Sequence, residues 1–141
     1  MERDYGAWIN MLAHKVKKRM NAIFADAGVT GVQSMVLHYI LLHYEQGPVF
    51  QRDIEEAFEL SRSTATGILQ LLEKNGIIRR ENMPEDGRLK NLIPTDKAKE
   101  LDASIHSGIQ KIEEVLTEDL SVGQLQLFAE IMHKMSDNLD K

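Results

Sequence analysis

The sequence predicts a mainly α-helical protein with a single small β-hairpin. Apolar residues recur at intervals of three and four along most of the chain, which is typical of helices that bury one face. Only residues 77–93 break that pattern, with two short strand-like runs on either side of a turn. In residues 29–95 the helices are followed by a hairpin, which is the order of elements in a winged helix-turn-helix. Further helices are predicted on both sides of this segment.

Two helices are predicted in the first third of the chain. The first spans about Tyr5 to Ala27 and ends at Gly28. The second begins after Thr30, because Thr30 and Gln33 have the spacing of a capping box, and it runs to about residue 45. This second helix is apolar nearly all round, so we expect it to be buried.

A short helix over residues 51–58 is expected to position the helix of residues 61–76. Ser61 suits the position before that helix, and Gly76 suits the left-handed position after it. One face is apolar, and the other carries short polar side chains that could contact base edges and phosphates without clashing. The alternative is an ordinary solvated face. The candidate DNA contacts on this helix are Ser61, Arg62, Ser63, Thr64, Thr66 and Gln70.

The hairpin is predicted to have strands at residues 77–81 and 89–93. Pro84 and the Asp86-Gly87 dipeptide indicate the turn between them. Arg88, near the tip, could enter a DNA minor groove or pair with Asp86 within the hairpin. Lys90 is expected to contact phosphate, whereas Arg80 could instead tie the strand to the rest of the domain.

Two more helices follow the hairpin. Thr95 is expected to cap the first, and Ser121 with Gln124 forms a second capping-box pattern at the start of the last. A lobe of residues 29–95 has little surface with which to cover three additional apolar stripes. We therefore expect a single domain over 1–141 that forms a two-fold dimer, with residues 1–28 and 96–141 as dimerisation helices.

The segment from Gly76 to Thr95 resembles the wing of the MarR family of repressors. That family's pattern has a Gly, two aliphatic residues and an Arg, then a Pro, an Asp and a second Arg at alternate positions, and a Thr before the next helix. The matching residues are Gly76, Ile77, Ile78, Arg80, Pro84, Asp86, Arg88 and Thr95. Residues 29–33 also resemble the family's entry to its second helix. Gly67 departs from the family, whose members often have a basic residue there.

The resemblance implies a homodimer that binds double-stranded operator DNA and represses transcription until a small effector releases it. It also implies an aromatic or phenolic effector bound on the first two helices, where the candidate residues are Met11, His14, Met35, His38 and Tyr39. From the residues alone, the same side chains are ordinary core and interface positions. The rival function is a winged helix that binds another protein and not DNA.

Composition narrows the possible functions further. The formal net charge of -5 disfavours DNA binding at first sight, but residues 96–141 hold ten acidic and five basic side chains, so the excess lies away from the proposed DNA face. There is no cysteine, hence no disulfide or thiol switch. The amino terminus lacks the pattern of a signal peptide and no apolar run is long enough to span a membrane, so we expect a cytoplasmic protein without membrane contact.

Neither an enzyme nor a metalloprotein is expected. The sequence has no Gly-rich phosphate loop and no nucleophile motif. Its five histidines include no pair four residues apart on a helix, and no cysteine is available as a ligand. We therefore expect no catalytic residue, metal or cofactor.

Overall fold

The structure is a computed structural model that describes residues 3–141. Within that range it contains six helices and one antiparallel hairpin, with most residues helical, which confirms the predicted fold class. The elements are α1 (Tyr5–Ala27), α2 (Gly31–His43), α3 (Gln51–Phe58), α4 (Arg62–Lys74), β1 (Ile78–Asn82), β2 (Lys90–Pro94), α5 (Asp96–Leu116) and α6 (Val122–Leu139). The chain forms two compact units, the first ending at Ile109 and the second comprising Gln110–Lys141.

Local hydrogen bonds explain where the helices begin and end. The Thr30 side chain accepts from the Gln33 N–H at 3.1 Å, while the Gln33 side chain accepts from the Thr30 N–H at 3.0 Å. Ser121 and Gln124 make the same reciprocal pair at the start of α6. Gly28 ends α1 in the left-handed conformation, with φ of 74°. These caps confirm the predicted boundaries, since they satisfy backbone groups that a helix end leaves unpaired.

The core of the first unit lies where α2, α3, α4 and the hairpin meet. Its largest fully buried side chains are Val36, Leu37, Ile40, Ile54, Leu69, Leu72, Ile78 and Leu92. Each such side chain stabilises the fold by about 1.5–3 kcal/mol relative to an exposed one. The hairpin is attached to this core because the Leu92 N–H donates to the Val49 carbonyl at 2.8 Å, and the Val49 N–H donates to Asn91 Oδ1 at 3.0 Å.

The second helix is less buried than the sequence suggests. Val36, Leu37 and Ile40 are fully buried in α2, but Val32, Met35 and Leu42 are 44%, 55% and 57% exposed. The prediction of burial on nearly every side is therefore wrong for the single chain. The physical reason is that the elements packed around α2 leave part of its surface open, so its other apolar residues face a cavity or solvent.

Both strands begin one residue later than predicted. Arg80 pairs with Leu92 at the centre of the antiparallel register. Ile77 is 2% exposed and precedes the strand. Its carbonyl accepts the Thr95 N–H at 3.0 Å in register with the hairpin, but its own N–H donates to the Leu72 carbonyl at 2.9 Å and so completes the end of α4. The predicted hairpin itself is confirmed.

Thr95 acts mainly as a tie between elements and only weakly as a helix cap. Its hydroxyl donates to the Gly76 carbonyl at 2.7 Å. The Ala98 N–H, which a helix cap would bind, lies 3.4 Å from the Thr95 hydroxyl oxygen. The hydroxyl also lies 3.0 Å from the Ile77 carbonyl, which already accepts the Thr95 N–H. The end of α4 is thereby held against the start of α5.

The turn between α3 and α4 contains a non-glycine residue in the left-handed conformation. Glu59 has φ of 51° and ψ of 47°, and the next residue, Leu60, donates its N–H to the Glu55 carbonyl at 3.0 Å. This single residue reverses the chain direction sharply enough for α4 to cross α3.

The second unit exposes an unusually apolar helix. None of the residues in α6 is buried. Its large exposed apolar side chains are Val122, Leu127, Phe128, Ile131, Met132, Met135 and Leu139. In the first unit, α1 likewise has no buried residue and exposes Tyr5, Trp8, Ile9, Met11 and Leu12. Both helices therefore present apolar surface that the rest of their own unit leaves uncovered.

Across residues 3–141, every helix is too short or too polar to cross a membrane. The interpretation of the amino terminus rests partly on Met1 and Glu2, which lie outside the described residues.

Substitution by alanine should change the free energy of unfolding in opposite directions at two glycines of the first unit. Gly76 has φ of 73°, so Gly76→Ala should lower the free energy of unfolding by about 1–2 kcal/mol. Gly67 lies inside α4 with nothing within 4 Å of an added Cβ, so Gly67→Ala should raise it by about 0.5–1 kcal/mol. Urea unfolding at one protein concentration measures both changes in the free energy of unfolding. Two changes of the same sign would contradict the backbone conformations described for these glycines.

Candidate nucleic-acid interface

The polar face of α4 begins with a cluster of hydroxyls. The Ser61 hydroxyl donates to Thr64 Oγ1 at 2.9 Å and accepts the Thr64 N–H at 3.2 Å, while Ser63 Oγ lies 3.4 Å from Ser61 Oγ. All three side chains are exposed, as is Arg62. Ser61 and Thr64 thus have a structural role in the cap and still present their oxygens to solvent.

Two candidate DNA contacts, Thr66 and Gln70, lie in the middle of α4, and only Thr66 is hydrogen-bonded to another helix. Gln70 is exposed, as predicted. Thr66 is half-buried, and its hydroxyl accepts a hydrogen bond from Gln51 Nε2 at 2.9 Å. The two residues lie one helical turn apart, but only Gln70 projects freely. Sequence periodicity could not detect Gln51, because it lies on a different helix.

The hairpin tip holds Arg88 next to Asp86. Arg88 Nε and Nη2 donate to the two Asp86 carboxylate oxygens at 3.2 and 3.4 Å, and the Arg88 N–H donates to Oδ1 at 3.0 Å. The Arg88 backbone N–H, and then its guanidinium, hold the pKa of Asp86 below the usual range of an aspartate. The Arg88 side chain is nevertheless 92% exposed. The Asp86 contact therefore orients Arg88 without withdrawing it from solvent.

A basic cleft separates the start of α4 from the hairpin. Its volume is about 330 Å³, and it is lined by Phe50, Gln51, Arg52, Glu55, Arg62, Arg80, Arg88, Leu89, Lys90 and Leu92. Five of these side chains are cations, against a single carboxylate, so the cleft is locally positive in a chain of negative net charge. Lys90 also donates to Asn82 Oδ1 across the hairpin.

Arg80 combines a structural contact with a position in the cleft. Its Nε lies 3.7 Å from Glu73 Oε1 on α4, and its side chain is only 21% exposed. Nε and Nη2 are buried without a hydrogen-bond partner among the described residues. This contact ties β1 to α4, which is the structural alternative that the sequence left open.

A second cavity, of about 470 Å³, lies between α1, α2, α3 and the first part of α5. Its lining includes Met35, His38 and Tyr39, three of the predicted effector residues. The structure does not bring Met11 and His14 to this cavity; both side chains are exposed on α1. Both residues lie on α1, but the cavity lies beside the later turns of that helix, at Met20 and Phe24.

The cavity has an apolar lining with a polar edge. Aromatic rings come from Phe24, Tyr39 and Phe58. At the edge, His38 Nδ1 lies 3.1 Å from Asp102 Oδ1, a contact between α2 and α5. The sequence analysis missed Asp102 because 64 residues separate it from His38. No group of three or more possible metal ligands occurs together in the part of the chain described.

Comparisons with known proteins agree with this geometry. Residues 27–89 match the model of the MarR family. The chain is 23% identical over 133 residues to the uncharacterised HTH-type transcriptional regulator YybA of Bacillus subtilis strain 168, covering 94% of this chain and 87% of that protein.

Solved structures show the same architecture over nearly the whole chain. MepR, described as a transcription regulator of the Staphylococcus aureus multidrug efflux pump MepA, superposes with a TM-score of 0.84 at 24% identity and covers 97% of this chain and 99% of its own. A MepR point variant bound to an oligodeoxyribonucleotide gives a TM-score of 0.75 at 25% identity, with coverages of 98% and 99%. The fold is that of a winged helix protein. The similarity to the MarR family extends over residues 27–89, from the end of α1 to the residue before β2.

The pKa of Asp86 tests the geometry of the hairpin tip. In Arg88→Ala the pKa should rise, because the guanidinium is lost, yet stay below the usual range, because the backbone N–H remains. Since the folded pKa is lowered, any contribution of this contact to stability is present above the ordinary aspartate pKa and disappears as the pH falls through the folded value. A carboxyl-detected NMR titration of Asp86 measures the change.

The control is Glu85→Gln, which alters the neighbouring charge but none of the three hydrogen bonds between Arg88 and Asp86. An identical Asp86 pKa in wild type and Arg88→Ala would show that the two side chains do not meet in solution.

Proposed function

We propose that this protein is a dimeric, sequence-specific DNA-binding repressor that a small aromatic or phenolic molecule releases from its operator. The observation that carries the DNA-binding part is the basic cleft between α4 and the hairpin, which lies beside the exposed polar face of α4. In this proposal α4 enters the major groove, and Arg88 at the hairpin tip reaches the adjacent minor groove.

The contacts divide by chemistry. Arg62 and Lys90 are exposed, and their guanidinium and ammonium groups are suited to binding phosphate oxygens. Contacts with phosphates dominate the affinity for DNA. Gln70 can form a bidentate pair with adenine, so it supplies sequence preference. Gly67 leaves room for the DNA backbone to approach α4 closely, since nothing lies within 4 Å of the position its Cβ would take.

The exposed apolar faces support a homodimer. Trp8 on α1 and Phe128 on α6 are 44% and 56% exposed, each within a row of similar side chains. Burying such rows against a second copy would stabilise the dimer by about 25 cal/mol for each Å² of apolar surface removed from water. A two-fold axis would then place two α4 helices in successive major grooves. Binding at that spacing would block access of RNA polymerase.

The 470 Å³ cavity supports the effector part of the proposal. Its volume lies in the range of small-molecule sites, and three aromatic rings line it. A phenol would place its ring among Phe24, Tyr39 and Phe58 and its hydroxyl near the His38–Asp102 pair. An effector there would favour a separation of the two DNA-binding lobes that no longer matches two grooves.

Arg88→Ala should weaken binding by about 1–3 kcal/mol per half-site without unfolding the protein, because a groove contact is lost from an exposed hairpin tip. Lys90→Ala should weaken binding to every sequence and reduce the salt slope by about one. Fluorescence anisotropy at several salt concentrations, on a duplex selected from a random library, measures both.

Lys15→Ala is the control for a general loss of positive charge, because Lys15 is exposed on α1 and lies outside the cleft. Wild-type affinity in Arg88→Ala would remove the hairpin tip from the interface. If the wild-type protein binds no duplex, DNA binding itself is wrong.

The protein should sediment at micromolar concentration with twice the 16.1 kDa mass of the chain. Phe128→Glu should shift the equilibrium towards monomer, because it places a charge on the apolar face of α6. Gln126→Glu introduces the same charge at an exposed polar position of the same helix and should leave the dimer intact. Analytical ultracentrifugation of the three proteins measures this, and a stable wild-type monomer would contradict the proposal.

Salicylate, used as a probe phenol, should stabilise the folded protein by about 2.7 kcal/mol at a concentration of a hundred times its Kd. Met35→Gln should weaken that stabilisation, because Met35 lines the cavity, whereas Met11→Gln should not. Thermal unfolding with and without salicylate measures the shift. Equal responses of the two variants would place the ligand elsewhere.

A further inference from the structure

A hydrogen bond joins α3 to the middle of α4 beside the basic cleft. Gln51, the first residue of α3, donates from Nε2 to Thr66 Oγ1 at 2.9 Å. The same nitrogen lies 3.4 Å from the Arg62 carbonyl, one helical turn before Thr66. Gln51 therefore contacts both the backbone and a side chain of the recognition helix.

The Arg62 carbonyl determines which way the Gln51 amide faces. A carbonyl oxygen can only accept a hydrogen bond, so the amide nitrogen and not its oxygen must lie on that side. The same nitrogen then donates to Thr66, whose hydroxyl acts as the acceptor. A hydroxyl has one hydrogen of its own, and accepting from Gln51 leaves that hydrogen unused.

A threonine inside a helix commonly donates its hydroxyl to the carbonyl four residues earlier. For Thr66 that carbonyl belongs to Arg62, which the Gln51 amide already approaches. No hydrogen bond from the Thr66 hydroxyl to a protein acceptor occurs among residues 3–141. The hydrogen is therefore available to an acceptor outside the protein, and Thr66 is only half-buried.

We propose that Gln51 is a positioning residue for DNA recognition, because its contact makes the Thr66 hydroxyl a fixed hydrogen-bond donor towards a base edge. The inference rests on the proposed DNA-binding function. The acceptors that suit a single donor in the major groove are N7 and O6 of guanine, N7 of adenine and O4 of thymine. Gln51 thus affects base preference although its own amide is turned towards the protein.

The test compares wild type, Gln51→Met, Thr66→Val and the double variant. A duplex is selected with wild-type protein from a random library, and Kd is measured on that duplex and on its single base-pair substitutions. Both single variants should lower discrimination at the same base pair by about two- to tenfold, the range for one neutral hydrogen bond. The double variant should lose no more than either, since both remove the same contact.

Gln46→Met is the matched control, because it makes the same substitution at an exposed glutamine that lies after α2, outside α4 and the basic cleft. It should leave discrimination at the Thr66-dependent base pair unchanged. The proposal is overturned if Gln51→Met retains full discrimination there, or if it weakens all duplexes equally, which would indicate a structural role alone.

A second measurement does not depend on DNA. The side-chain amide resonances of Gln51 should shift in Thr66→Val, whose valine has the same shape without the hydroxyl. Unchanged resonances would show that the hydrogen bond does not form in solution and would refute the proposal. If wild type shows no sequence preference, the DNA-binding function fails, and an amide shift in Thr66→Val would still establish the contact itself.

Discussion

Burial of one face of α4 is the constraint on which the rest of the structure depends. Ala65, Leu69 and Leu72 are at most 1% exposed, so the helix cannot rotate about its axis without bringing them into water. Losing the burial of the two leucines alone would cost about 3–6 kcal/mol, a large part of the stability of an ordinary domain. The orientation of the opposite, polar face is consequently fixed by the core, and the hairpin and α3 supply the two walls of the cleft beside it.

The helices could be predicted because their ends are encoded locally. Thr30 with Gln33, Ser61, Gly76 and Ser121 with Gln124 each satisfy backbone groups within a few residues, so a single sequence contains the information. The first strand begins one residue late because the Ile77 N–H, within the strand-like run, donates to the Leu72 carbonyl and closes the end of α4 instead of pairing with β2.

Much of the candidate site depended on contacts that no local pattern reveals. Gln51 reaches Thr66 across 15 residues, and His38 reaches Asp102 across 64. Met11 and His14 lie on an earlier part of α1 than Met20 and Phe24, which line the cavity, and they point to other sides of the helix. Arg88 and its Asp86 partner were predictable, since both lie in the seven-residue turn between β1 and β2.

Glu59 has a consequence for the rigidity of the turn between α3 and α4. A left-handed residue with a side chain costs about 1–2 kcal/mol more than the right-handed form, whereas glycine adopts it freely. A glycine would relieve that cost, but it would also let the turn sample many other angles between α3 and α4. The glutamate therefore restricts the angle between α3 and α4 at the cost of a less favourable backbone conformation.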